Sequence, residues 1–275
     1  MADILTLVFR TFMSQTGLKK DVTVSPASAA PCSTLMVGNH RVSRSVLLLA
    51  AVTAASELGI KVVFFAQTQI QSLPVSLQKC VPSLSPESLK KITFSYPRTL
   101  EELLQQVASL HESPIPPSLI IIDRLEGFLH GRGGGSHSGL HSGEQSSTAH
   151  LAALLCDTAV FLTELLEQRG SSSAPCRIIA SFLSEVDTDH SSKDSSSTDP
   201  ILDVLDRYFQ VRCTLDQNRG YEAAAAAAEE VWHIYLSGRG ITEASFAENC
   251  EDKPSLNQEW QLFIFPNGLM EFKVV

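Results

Sequence analysis

Residues 38–45 read Gly-Asn-His-Arg-Val-Ser-Arg-Ser, after the apolar run Leu35, Met36, Val37 and before a long apolar segment, 45–58. This is the spacing of a phosphate-binding loop, G-x-x-x-x-G-K-[ST], in which backbone amides cradle phosphate oxygens and the last hydroxyl reaches magnesium. Gly38 and Ser45 match it. Ser43 replaces the second glycine and brings a Cβ to a place of close backbone approach, while Arg44 puts a planar fork where the pattern has a compact ammonium. The candidate cofactor-binding residues, for the phosphates of a nucleotide, are therefore Gly38, Asn39, His40, Arg41, Val42, Ser43, Arg44 and Ser45. The plain structural alternative is a strand-to-helix turn capped by Ser43. A second chemical group is Asp123, which closes the β-branched run 118–123 (SLIIID). A buried strand that ends in a carboxylate can hold magnesium in phosphoryl transfer, so Ser45 and Asp123 are the candidate Mg2+ ligands and Asp123 the candidate catalytic group. No base accompanies them. Gln67, Thr68 and Gln69 follow the second apolar run, and a glutamine orients water but deprotonates nothing.

Elements must hold these groups, and the composition allows a core. The chain has 275 residues, 44% hydrophobic and 19% charged, which excludes a disordered chain and a small disulfide-stapled scaffold. Lys and Arg number 21 against 30 Asp and Glu, a net charge of −9, which excludes coating nucleic acid by bulk charge. Six cysteines lie without a C-x-x-C pair, which argues for a reducing compartment. The longest charge-free apolar stretch, Ser45 to Ser56, falls short of the ~20 residues that span a bilayer, and no membrane contact is expected. The N-terminus lacks the order of a secretory signal.

Strands are expected at 35–37, 61–65, 92–96, 118–123, 177–182, 210–215 and 231–236. Helices are expected at 45–58, at 99–111 with a capping box of Thr99 and Glu102, at 148–168 and at 201–209. Asn267 and Gly268 between 258–265 and 269–274 signal a hairpin. Strands alternating with helices and a terminal hairpin give an α/β domain with a mainly parallel sheet and an antiparallel C-terminal hairpin. Residues 1–33 read as an N-terminal extension and linker, and 34–275 as one domain with flexible inserts at 131–147 and 184–200.

The order of degenerate phosphate loop, SLIIID strand, Gly-rich loop, apolar helix and RIIASF strand resembles the core of RecA-type recombinases and their eukaryotic paralogues. LKKITFSYPRTLEELL, SLIIIDRLEGFL, AHLAALLCDTAVF and LDRYFQVRC look like the Shu-complex paralogues that associate with a SWIM-type zinc-finger protein. The likeness runs over about residues 34–215. It implies a RecA-like P-loop fold, binding of ATP with Mg2+ and of single-stranded DNA, and weak DNA-stimulated hydrolysis. It further implies a role in homologous recombination beside a RecA-type recombinase and its other paralogues, in the nucleus. The two inserts fall where the resemblance places DNA-binding loops, and within them Arg132 and Lys193 supply the positive charge. Neither insert contains an aromatic stacking platform, so single-strand affinity is expected to be weak and salt-sensitive.

Two alternatives stand beside this reading. One is a non-catalytic RecA-like scaffold that binds no nucleotide and acts through protein contacts, favoured by Ser43 and Arg44. The other, a small-molecule phosphotransferase, lacks the several lid arginines that would clamp phosphates. His137 and His141 have metal-ligand spacing, but glycine lies between them and no cysteine lies nearby. Trp260, Phe263, Phe265 and Phe272 are either partner anchors or core.

Overall fold

The computed structural model describes residues 4–13, 33–80, 84–129, 141–170, 175–183, 199–218, 228–238 and 258–275. They form a nine-stranded sheet in the order β3-β2-β4-β5-β1-β6-β7-β8-β9. The parallel part comprises β1 (Ser33–Val37), β2 (Val62–Ala66), β3 (Ile92–Ser95), β4 (Leu119–Asp123) and β5 (Arg177–Phe182), with β6 (Val211–Asn218) parallel to β1. β7 (Glu230–Gly238), β8 (Gln258–Ile264) and β9 (Met270–Val274) continue the sheet antiparallel. The expected antiparallel end is therefore broader than a hairpin, because β6 turns the sheet from one sense to the other.

The apolar runs are continuous because the parallel strands are covered on both faces. Alternation along β4 sends Leu119 and Ile121 into one core and Ile120 and Ile122 into the other. The first core lies under α1 (Ile4–Thr11) and α2 (His40–Ser56). The second lies under α5 (Leu100–Ala108), α6 (Leu125–Leu129), α7 (His141–Gln168) and α8 (Pro200–Tyr208), while α3 (Val75–Cys80) and α4 (Pro86–Leu89) lead into β3. The capping box before α5 forms as expected, with Thr99 Oγ1 accepting from the Glu102 amide at 3.2 Å.

α1 falls within the stretch read as an extension, yet Ile4, Leu5, Val8 and Phe9 are buried. The Phe9 ring stacks on Phe272 at 4.8 Å and lies 5.4 Å from Trp260, and the Phe272 amide donates to Phe12 O at 3.0 Å. Trp260 and Phe272 are thus core residues, whereas Phe263 and Phe265 are half-buried. α7 starts at His141, seven residues before the periodicity expected from Thr148. By length and composition it could cross a membrane, but Leu151, Leu155, Ala159 and Leu162 are buried in the second core. Of the Ala-rich stretch 223–228, residues 223–227 lie outside the described residues.

Candidate functional site

Gly38 follows β1 with φ +150°, and its amide donates to Phe182 O at 3.2 Å. A Cβ there would stand 2.7 Å from Leu215 Cβ and 2.8 Å from Leu215 O, so the neighbouring strand requires glycine independently of any phosphate. Asn39 caps α2: its Oδ1 accepts from the Arg41 amide at 2.9 Å, and its carbonyl accepts from the Ser43 amide at 2.9 Å. The cap is therefore Asn39 and not Ser43, and the helix begins at His40, five residues before the expected Ser45. Six of the eight loop residues, His40 to Ser45, lie inside the helix. From Ser43 onward their amides are spent on the helix itself. Ser43 is fully buried and its Oγ lacks a hydrogen-bond partner.

Period two along β4 places Asp123 on the same side as Leu119 and Ile121, facing the α2 layer. Arg44 Nε donates to Asp123 Oδ2 at 2.6 Å, and Arg44 Nη2 reaches Thr68 Oγ1 at 3.4 Å. The carboxylate side chain is fully buried, and the arginine is 28% exposed. Burial pushes the Asp123 carboxyl above its ordinary value, and Arg44, Arg124 and Ser181 pull against that shift. Ser45 Oγ is turned back to Arg41 O at 3.0 Å. Arg41 itself pairs with Glu230, which also accepts from Trp232 Nε1 at 2.9 Å.

Sequence reasoning missed the shell around Asp123. Arg124 has φ +66°, the only non-glycine positive φ among the described residues, a strained state that occurs often at functional sites. Its amide donates to Ser181 Oγ at 2.9 Å, and Ser181 Oγ lies 3.4 Å from Asp123 Oδ1. Glu126 is buried and accepts from Arg124 Nε and from the Leu183 amide, both at 3.1 Å. Gln67, expected to orient water, instead donates to Gly127 O at 2.6 Å. Glu126, three residues after Asp123, was the available signal, since a carboxylate inside an apolar run needs a partner. Arg132, Lys193 and His137 lie outside the described residues. No group of three or more His, Cys, Asp or Glu able to hold a metal occurs among the described residues.

The RecA fold implies a magnesium nucleotide in this place, and the residues present do not fit it. The loop that would surround phosphates is helix, the hydroxyl is bonded to its own turn, and the chain's own guanidinium sits on the carboxylate meant for the metal.

The strand order, with the glycine after β1 and the carboxylate at the end of β4 on either side of β5, defines a RecA-like P-loop domain, and solved structures agree. A KaiC-like protein from Pyrococcus horikoshii matches with TM-score 0.52 and 11% identity, covering 88% of this chain and 89% of that one. A RadB recombinase matches with TM-score 0.50 and 15% identity, covering 87% and 90%. No family model matches the sequence. The mouse protein named ATPase SWSAP1 is 33% identical over 190 residues, 68% of this chain and 59% of that protein, so the chain spans less than two-thirds of the mouse relative. Its human counterpart is 31% identical over 193 residues, 69% of this chain and 73% of that protein. The chain belongs to the SWSAP1 family, as the RecA-paralogue resemblance led us to expect.

Proposed function

We propose that this chain is a RecA-like subunit of a recombination-mediating assembly in the nucleus. In this reading it pairs with a SWIM-type zinc-finger protein and supports a RecA-type recombinase, with its paralogues, on single-stranded DNA. It acts through protein contacts and not by turning over ATP. Family membership supports the setting. The observation that carries the nucleotide-independent part is the 2.6 Å Arg44–Asp123 pair, formed from an α2 that is already helical at His40. An arginine fixed on a buried carboxylate supplies internally the charge balance that a bound cation would supply.

A second reading, ATP binding with weak DNA-stimulated hydrolysis, is favoured by the ATPase name of both relatives and by Gly38, Ser45 and Asp123 at matching positions. Equilibrium binding of fluorescent ATP with magnesium separates the two. The chain is co-expressed with the SWIM-type partner, and wild type is compared with Arg44→Ala and Asp123→Ala. We expect no saturable binding by a folded complex that still captures recombinase. Micromolar binding lost in both variants would replace the first reading with the second.

A further inference from the structure

Three large apolar side chains that stand in the open converge on one corner of the α5–α7 layer. Ile115, Val160 and Phe161 are 62%, 47% and 50% exposed. Phe161 meets His111 edge-on at 5.8 Å, and Arg169 Nη1 donates to Pro114 O at 2.9 Å, which ties the Ile115 loop to the end of α7. The rim of this patch is acidic. Asp157, Val160, Glu164 and Glu167 follow one another at spacings of 3, 4 and 3, one outward stripe of the helix, and Glu112 follows His111. None of these four carboxylates forms an ion pair among the described residues. Two cations stand at the Ile115 loop, Lys61 on Ile115 O at 2.6 Å and Arg169 on Pro114 O, and the four carboxylates outnumber them.

From this we infer that the α5–α7 face docks a basic amphipathic helix of a protein partner, with Phe161 and Ile115 as apolar anchors beside an acidic stripe of α7. Charge selects the occupant. Nucleic acid and anionic lipid are repelled by the rim, and a second copy related by a two-fold axis would bring acid against acid. A helix with an apolar stripe and flanking Lys or Arg satisfies both the anchors and the rim. The inference holds for either nucleotide reading, because the face lies on the opposite side of the sheet from α2.

The test is fluorescence anisotropy with a labelled 18-residue synthetic helix, Leu and Phe on one stripe and Lys and Arg on the other, titrated with the full chain. Its charge-reversed twin, with Glu for each cation, is run in parallel. We expect saturable binding that weakens about tenfold or more in Phe161→Glu and in Glu164→Lys with Glu167→Lys, and that also falls with added salt. Glu57→Lys, at the end of α2, should leave it unchanged. No binding by the wild type, equal binding to all variants, or equal binding of the acidic twin would overturn the proposal. So would a dimer in sedimentation velocity that Phe161→Glu dissolves, because the face would then belong to a second copy.

Discussion

At the β1–α2 junction, order comes from directed polar contacts: the Asn39 cap, the Arg44–Asp123 pair, and Arg124, Ser181 and Glu126 around them. At the corner where α1 meets β8 and β9, it comes from volume, with Phe9 between Phe272 and Trp260. The two regions sit on the same core yet answer to different perturbations. A polar junction responds to single charges and to pH, and an aromatic corner to removed atoms.

The largest expected effect lies at the corner. Phe9→Ala should cost about 4 kcal/mol in urea unfolding, the range for deleting a fully buried ring. A loss under about 1 kcal/mol would make α1 an appendage and dissolve the contrast. Arg44→Ala comes next, at about 3 kcal/mol near neutral pH, because it leaves a buried carboxylate unpaired. Arg44→Met with Asp123→Leu should recover most of that loss, since an apolar pair of similar volume avoids both desolvation costs.

The junction should also show a pH signature that the corner lacks. The folded Asp123 carboxyl is held above its ordinary value by burial, so the folded state keeps a proton that the unfolded chain has already lost. Its contribution to stability is complete below the unfolded value and disappears as pH rises through the folded one. Without Arg44 the folded value climbs further. The Arg44→Ala deficit should therefore shrink on acidification from about pH 7.5 to about pH 5, while the Phe9→Ala deficit stays level. The smallest effects concern the cap. Asn39→Ala should cost about 1 kcal/mol, and Ser43→Ala should be neutral or gain about 0.5 kcal/mol, because it removes an unpaired buried hydroxyl. The opposite order would return the cap to Ser43.

What could be read from the sequence depended on how far each interaction reaches. SLIIID, KVVFF and RIIASF announced buried strands, and Asn267-Gly268 announced the final turn, because these signals are local. Gly38 and Asp123 stand at the same end of the sheet, on strands separated by β5. The start of α2 was misjudged because the phosphate-loop spacing assumes six residues of loop after Gly38, whereas Asn39 was itself a cap signal. The Arg44–Asp123 pair joins residues 79 positions apart, and nothing local marks it. α1 showed an apolar face, but its partner lies in the last strand.

That last contact has a consequence for synthesis. Met13 bridges Phe272, so the first described helix is completed by a strand made long after it. At about 5–20 residues per second, its apolar face waits on the order of tens of seconds for β9. During that interval Phe9 has no Phe272 to stack on, and the nascent chain offers chaperones, or a co-translated partner, a sticky amphipathic helix. Burial of α1 thus waits on β9, and a chain that stops short of β9 would leave that helix exposed.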